Sequence, residues 1–244
     1  MNRSPLFEAP MDVRSILRRH AAFSRLPDEV IDQLARAAML QRLRRGAPLW
    51  QIGERASAFV IVAHGLVKVQ MARASVRELV LGLAGPGESV GDAAAIENET
   101  YDGDAIALTE TVVIARLPRE QALAALERSG QAALAMARLF GQSTTVANRR
   151  LALFTASAEE RLATTLMELG ERFGDELEDG STLIPLRLTR AELAALVGTT
   201  VETTIRTLSR WSREGLVTTN DGGMTLHDAN ALARRTSVAP APRA

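Results

Sequence analysis

The spacing of apolar positions changes twice along the chain. Between Asp12 and Leu43, the residues Ile16, Leu17, Phe23, Leu26, Val30, Ile31 and Leu34 recur at three and four, with a break at Pro27, and predict an N-terminal helical subdomain. From Gly46 the period shortens. APLWQIGE, AFVIVAHGLVKVQMA, RELVLGLAGPGESVGD and GDAIALTETVVIARLP are short β-type runs separated by Gly53, Gly65, Gly82, Gly85, Gly87, Gly91 and Gly103. Such strands imply a compact antiparallel barrel or roll. After Pro118 the helical spacing returns, and Ser129 to Phe154 contains no proline. Leu139, Val146 and Leu153 repeat every seven residues beside Met136 and Phe140, the spacing of a seam between helices. One such helix per chain suggests a dimer.

The C-terminal third is punctuated by helix starts. Ser157 with Glu160 fits a capping box, in which hydroxyl and carboxylate each satisfy an orphan backbone donor, so AEERLATTLMELGERF begins a helix and Phe154 to Ala156 is a hinge. LIPLRL, Leu183 to Leu188, suits a strand. Thr189 with Glu192, and Thr199 with Glu202, fit two further boxes, and Gly198 between them ends the first helix in the left-handed region. Two short helices at a tight turn make a helix-turn-helix, whose second helix enters the major groove of DNA. LVTTNDGGMTLHD then has the strand, Asp-Gly turn, strand order of a hairpin wing. The tail TSVAPAPRA, residues 236–244, is expected to be disordered.

Composition narrows the classes. Hydrophobic residues make up 46% and charged residues 24%, and no apolar run is long enough to span a membrane. MNRSPLFEAP lacks the apolar core of a signal peptide, so the expected location is cytoplasmic, with no membrane partner. The absence of cysteine excludes disulfides, thiolate metal sites and an iron-sulfur cluster. Net charge is zero, yet Arg187 to Arg235 carries seven arginines against five acids, so a basic module hides inside a neutral chain. Lys68 is the sole lysine, so a phosphate clamp here is built from arginine and backbone donors. No nucleophile, base and orienter set, P-loop or metal-ligand cluster points to an enzyme.

LPDEVIDQLARAAMLQRLRRGAPLWQIGE, then AFVIVAHGLVKV, then GPGESVGD, closely resembles the cyclic-nucleotide-binding roll of the Crp/Fnr family of bacterial transcription regulators. The resemblance runs from about Val13 to about Arg235. It implies an α+β chain: N-terminal helices and a double-stranded β-roll sensor over 1–128, a dimerisation helix and hinge over 129–156, and a winged helix-turn-helix over 157–235. It also implies double-stranded DNA, a second copy of the chain and RNA polymerase as partners. In family members the recognition helix opens with a glutamate followed four residues later by an arginine, as Glu202 and Arg206 do here. Residues at i and i+4 share a helical face; Arg206 suits guanine O6 and N7, and Glu202 suits a cytosine amino group, which together suggest a TGA-like core. Val201 and Ile205 are placed to touch a thymine methyl. Thr200 and Ser209 are candidates for phosphate, and Arg210 and Arg213 for phosphate or plain surface charge. Glu202 also reads as a capping carboxylate.

In relatives that bind cyclic AMP, a glycine-glutamate pair holds the ribose, and an arginine with a small hydroxyl residue holds the phosphate. Here Gly91 and Asp92 occupy the first pair, and the second falls on Asp102 and Gly103. Glu97, Glu99, Asp102 and Asp104 would repel a phosphate there. Thr144 and Thr145 align with hydroxyl residues that contact adenine in relatives. Cyclic AMP is therefore not expected in the usual manner, while a cyclic dinucleotide, haem held by His20, His64, His227 or a methionine, another metabolite, or no effector stay open. The competing reading is a cyclic-nucleotide-binding regulatory protein that acts through protein contacts rather than DNA.

Overall fold

A computed structural model describes residues 12–73 and 76–236. The chain divides after Asn148 into two compact units.

In the first unit, α1 (Val13–Arg19) starts at Asp12, whose side chain accepts the Ser15 amide, and α2 (Asp28–Ala37) starts after Pro27. Ile16, Leu17, Phe23, Ile31 and Leu34 are buried, so the apolar stripe predicted both helices. The helical expectation fails beyond Ala38. Met39–Arg44 forms strand β1, paired antiparallel with β8 (Thr111–Pro118) from Met39 opposite Arg116 to Arg44 opposite Thr111. Its backbone groups are satisfied by a strand some seventy positions away, a bond that local periodicity cannot register.

The remaining strands of this unit are β2 (Pro48–Trp50), β3 (Ala58–His64), β4 (Val67–Arg73), β5 (Val76–Ala84), β6 (Ser89–Val90) and β7 (Asp104–Ala107). Among the described residues they make two four-stranded sheets, ordered β1-β8-β3-β6 and β2-β7-β4-β5, with all pairings antiparallel. Phe59, Val60, Ile61, Val62, Val112, Ile114 and Leu117 fill the core of this roll. Helix α3 (Asp92–Glu97) leaves β6 through Gly91, which sits at φ 74°, a conformation glycine takes without strain. Helix α4 (Arg119–Glu127) packs back on the roll and leads to α5 (Gly130–Ala152). The start of α5 is anchored by the buried Ala132 and Met136, whereas residues 141–149 are exposed on every side.

The second unit opens with a 3-10 turn (Leu153–Thr155) and α6 (Ala158–Phe173). Ser157 and Glu160 close the expected capping box at 3.2 and 2.7 Å. A small sheet ordered β11-β12-β10-β9 joins β9 (Asp175–Glu176), β10 (Thr182–Ile184), β11 (Val217–Asn220) and β12 (Gly223–Leu226). The strand expected over Leu183 to Leu188 stops at Ile184, because Pro185 has no amide to donate; Leu186 and Leu188 bond instead to the carbonyls two residues behind them. The wing hairpin β11-β12 turns at Asp221-Gly222 as its sequence suggested. Helices α7 (Arg190–Val197) and α8 (Val201–Arg213) form the helix-turn-helix, and α9 (Ala229–Ala233) closes the unit. Thr236, placed in the expected tail, is tied to the Ala233 carbonyl by its amide and hydroxyl; residues 237–244 lie outside the described residues.

Candidate nucleic-acid interface and sensor roll

Helix α7 is capped at both ends. Thr189 and Glu192 exchange bonds at 3.1 and 2.7 Å, and Gly198, at φ 70°, sends its amide to the Ala194 carbonyl. The Thr199 amide also bonds Ala194, which commits Thr199 to the end of α7 and overturns the box expected between Thr199 and Glu202. Thr200 is the cap of α8: its hydroxyl oxygen accepts the Thr203 amide at 3.0 Å. The carboxylate of Glu202 is left unused by the backbone.

One side of α8 is core. Thr204, Thr207, Leu208 and Trp211 are buried, and Trp211 is wholly enclosed. The opposite side presents Val201, Glu202, Ile205, Arg206, Ser209, Arg210 and Arg213 to solvent. Val201 and Ile205 are 43% and 47% exposed, unusual for β-branched residues with a core to join. Among the described residues Glu202 and Arg206 make no ion pair or hydrogen bond, so their polar groups are unspent. Arg210 differs. Its guanidinium meets Glu159 of α6 at 2.6 Å and Glu214 at 3.8 Å, while Arg213 Nε donates to the Ser209 carbonyl at 3.3 Å. Thr200, with its oxygen engaged at Thr203, is half-buried.

Behind α8 lies a polar staple that the sequence did not reveal. Glu159 accepts from Arg235 at 2.8 Å and from the Trp211 indole at 3.2 Å, and Arg235 reaches Glu214 at 2.7 Å. Burial opposes ionisation of Glu159, but these donors and Arg210 hold its carboxyl below the usual range.

In the roll, Trp50 and Tyr101 stack with centroids 3.9 Å apart and planes 13° apart, and both are buried. A Cβ on Gly91 would stand 2.6 Å from the Tyr101 ring and 3.1 Å from Trp50, so the two rings lie directly against that glycine. The Trp50 indole donates to the Gly103 carbonyl at 3.0 Å, and a Cβ on Gly103 would stand 2.7 Å from the Gln70 carbonyl. Next to this stack runs a chain of three polar groups, His20 buried and Ser89 and Asp92 half-buried. His20 Nδ1 accepts the amides of Ala22 and Phe23, each at 3.2 Å, which places the ring proton on Nε2, 3.0 Å from Ser89 Oγ. Ser89 in turn donates to Asp92 Oδ2. Asp92 Oδ1 is buried without a partner among the described residues. Burial pushes Asp92 up to about 6 and His20 down to about 4.

Comparison with known proteins agrees with both halves of this architecture. Residues 40–129 match the model of the cyclic nucleotide-binding domain, and residues 160–235 match that of the Crp-like helix-turn-helix domain. The chain is 32% identical over 206 residues to the transcriptional regulatory protein btr of Bordetella pertussis, covering 84% of this chain and 83% of the relative. The chain belongs to the Crp/Fnr family of transcription regulators. It is likewise 32% identical over 209 residues to the cyclic AMP receptor protein of Thermus thermophilus, across 84% of this chain and 91% of that one. A solved transcriptional regulator of the CRP/FNR family, also from Thermus thermophilus, superposes with a TM-score of 0.67 at 25% identity, over 83% of this chain and all of the other. This Crp/Fnr protein is thus a transcription regulator with a helix-turn-helix DNA-binding domain. No helix among the described residues is long and apolar enough to cross a membrane.

Within this Crp/Fnr roll the residues named for an effector do not converge. Gly91 and Asp92 are adjacent to the aromatic stack, but Asp102 is exposed and Gly103 is pressed against β4 with its carbonyl taken by Trp50. Asp104 accepts the Ile52 amide at 2.8 Å, so the acidic loop is tied down on both sides. Thr144 and Thr145 are exposed on α5, with hydroxyls bonded to the Phe140 and Gly141 carbonyls of their own helix at 2.9 and 3.0 Å. Of the histidines considered for haem, His20 has both ring nitrogens in use, and His227 Nε2 lies 2.9 Å from the Thr218 hydroxyl. The contacts of Trp50, Tyr101, Ser89 and His20 join distant parts of the chain, and their spacing carries no motif.

Proposed function

We propose that this regulator binds, as a homodimer, a palindromic DNA site with a TGA-like core in each half, and that α8 reads it. The observation that carries this reading is the outer face of α8: Glu202 and Arg206, one turn apart, both solvent-facing and both unpaired, beside the exposed methyls of Val201 and Ile205. A charged pair left unspent opposite a fully packed face is what a groove-reading helix requires. Arg206 takes guanine, Glu202 takes cytosine, and Thr200, Ser209, Arg210 and Arg213 serve the flanking phosphates. The all-round exposure of residues 141–149, with Val146 at 45%, and the exposure of Leu151 just beyond them at 62%, support a second copy of α5 as their cover. Two heads related by a two-fold axis then meet half-sites about 34 Å apart.

The roll does not take cyclic AMP in the usual manner: the space beside Gly91 holds Tyr101 and Trp50, and the loop where phosphate would sit carries acids instead of arginine. Control comes through another effector or through none, the protein acts in the cytoplasm with RNA polymerase as its protein partner, and it carries out no catalysis. Fluorescence anisotropy with purified full chain tests the central claim. TGA-containing palindromes should bind at least about a hundredfold tighter than scrambled duplex at moderate salt, and equal affinity for the two removes the reading.

A further inference from the structure

The helix-turn-helix turn is held by a residue outside it. Arg161, in the second turn of α6, sends Nε to the Val197 carbonyl at 3.0 Å and Nη2 to the Gly198 carbonyl at 3.1 Å. These are end carbonyls of α7, which have no partner within their own helix, and a cation there also meets the negative end of the helix dipole. The same guanidinium sends Nη1 to the Ala156 carbonyl at 2.7 Å. Ala156 ends the 3-10 turn that follows α5. One rigid planar fork therefore joins the end of the 3-10 turn that follows the long helix to the turn from which α8 starts.

We propose that Arg161 is a positioning residue for DNA reading: it locks the turn before α8 against the 3-10 turn that follows α5, and so sets which half-site spacing the dimer accepts. The chemistry suits that task. The N–H donors on the three guanidinium nitrogens point in fixed, coplanar directions, so satisfying all three carbonyls at once defines an angle as well as a distance. Gly198 lies two residues before the Thr200 cap, so displacement of its carbonyl rotates the first two turns of α8, where Glu202 and Arg206 stand. Nothing in this role touches DNA; Arg161 acts through the turn. The proposal rests on the palindrome reading above.

The test uses the full chain with Arg161→Lys and Arg161→Met. Four duplexes are compared by anisotropy: the preferred palindrome, the same half-sites with one base pair added, with one removed, and a single half-site. A one-base-pair change turns a half-site by about 35°, and wild-type protein should disfavour it by about tenfold or more. Lysine keeps the charge but cannot hold three carbonyls in one plane, so Arg161→Lys should accept all three spacings within about threefold while half-site affinity stays within about twofold. An unchanged spacing preference in Arg161→Lys overturns the proposal, as does an equal loss on half-site and palindrome, which would mark a purely structural role. If Arg161→Met loses its cooperative thermal transition, Arg161→Lys alone decides. Wild-type protein with no palindrome preference overturns the palindrome reading and this inference together, whereas a wild-type preference that survives both substitutions overturns only this one.

Discussion

The hydroxyl of Thr200 accepts the amide of Thr203 at 3.0 Å, and that bond releases Glu202 from duty as a capping carboxylate. Glu202 can then work toward solvent alongside Arg206, one turn further on. Arg206→Ala should weaken the TGA palindrome by about ten- to a hundredfold, the worth of one bidentate base contact, and leave scrambled duplex nearly unchanged. Arg206→Lys should lose most of the same discrimination, because an ammonium has no fork to match guanine. Competition binding against single-base variants of the half-site checks both.

The cap itself is open to test. Thr200→Ala should cost about 1 kcal/mol of stability, and Thr199→Ala much less, because only the former hydroxyl serves the start of α8. Denaturant unfolding of the two variants side by side gives the answer; the reverse order would restore the box read from the sequence.

A third test concerns the trio of His20, Ser89 and Asp92. His20 sits at about 4 in the folded chain against an ordinary 6.5, so between those values the unfolded chain holds a proton that the folded chain refuses, and stability falls as pH drops. Asp92 sits at about 6 against 3.8, so there the folded chain holds the extra proton and stability rises as pH drops. Each amounts to about 3 kcal/mol at roughly 1.4 kcal/mol per pH unit, with opposite sign, so they nearly cancel between pH 6 and 4. Relative to wild type, Asp92→Asn should lose thermal stability on acidification through that window, and His20→Gln should gain it. Calorimetry across pH 4 to 7 reads both; parallel curves for all three proteins would show the pair does not titrate as placed.

The bare end of α5 makes a fourth. Val146→Glu and Leu151→Glu place charges on its exposed apolar positions and cost nothing to a monomer. Sedimentation should show a shift from dimer to monomer at micromolar concentration, and palindrome affinity should fall by at least about tenfold, since two linked heads bind far more tightly than one. An unchanged dimer would move the interface elsewhere.

Much of this molecule was legible because its information is local. Ser157 with Glu160 and Thr189 with Glu192 are three apart, Gly198 announces its own backbone angle, and the wing turns on adjacent residues; these signals act within one helical turn or hairpin, so they survive without knowledge of the rest. The start of α8 was misread by one residue because two neighbouring threonines both offer a hydroxyl, and the choice depends on which amide α7 claims last. Tertiary structure decided what spans the chain. Strand β1 exists because β8 pairs with it, Arg210 is drawn to Glu159 on the separate helix α6, and His20 meets Ser89 69 residues away. Such contacts carry no periodicity, since a hydrogen bond or a ring stack depends on where two surfaces meet after the chain has collapsed, and only the folded core fixes that.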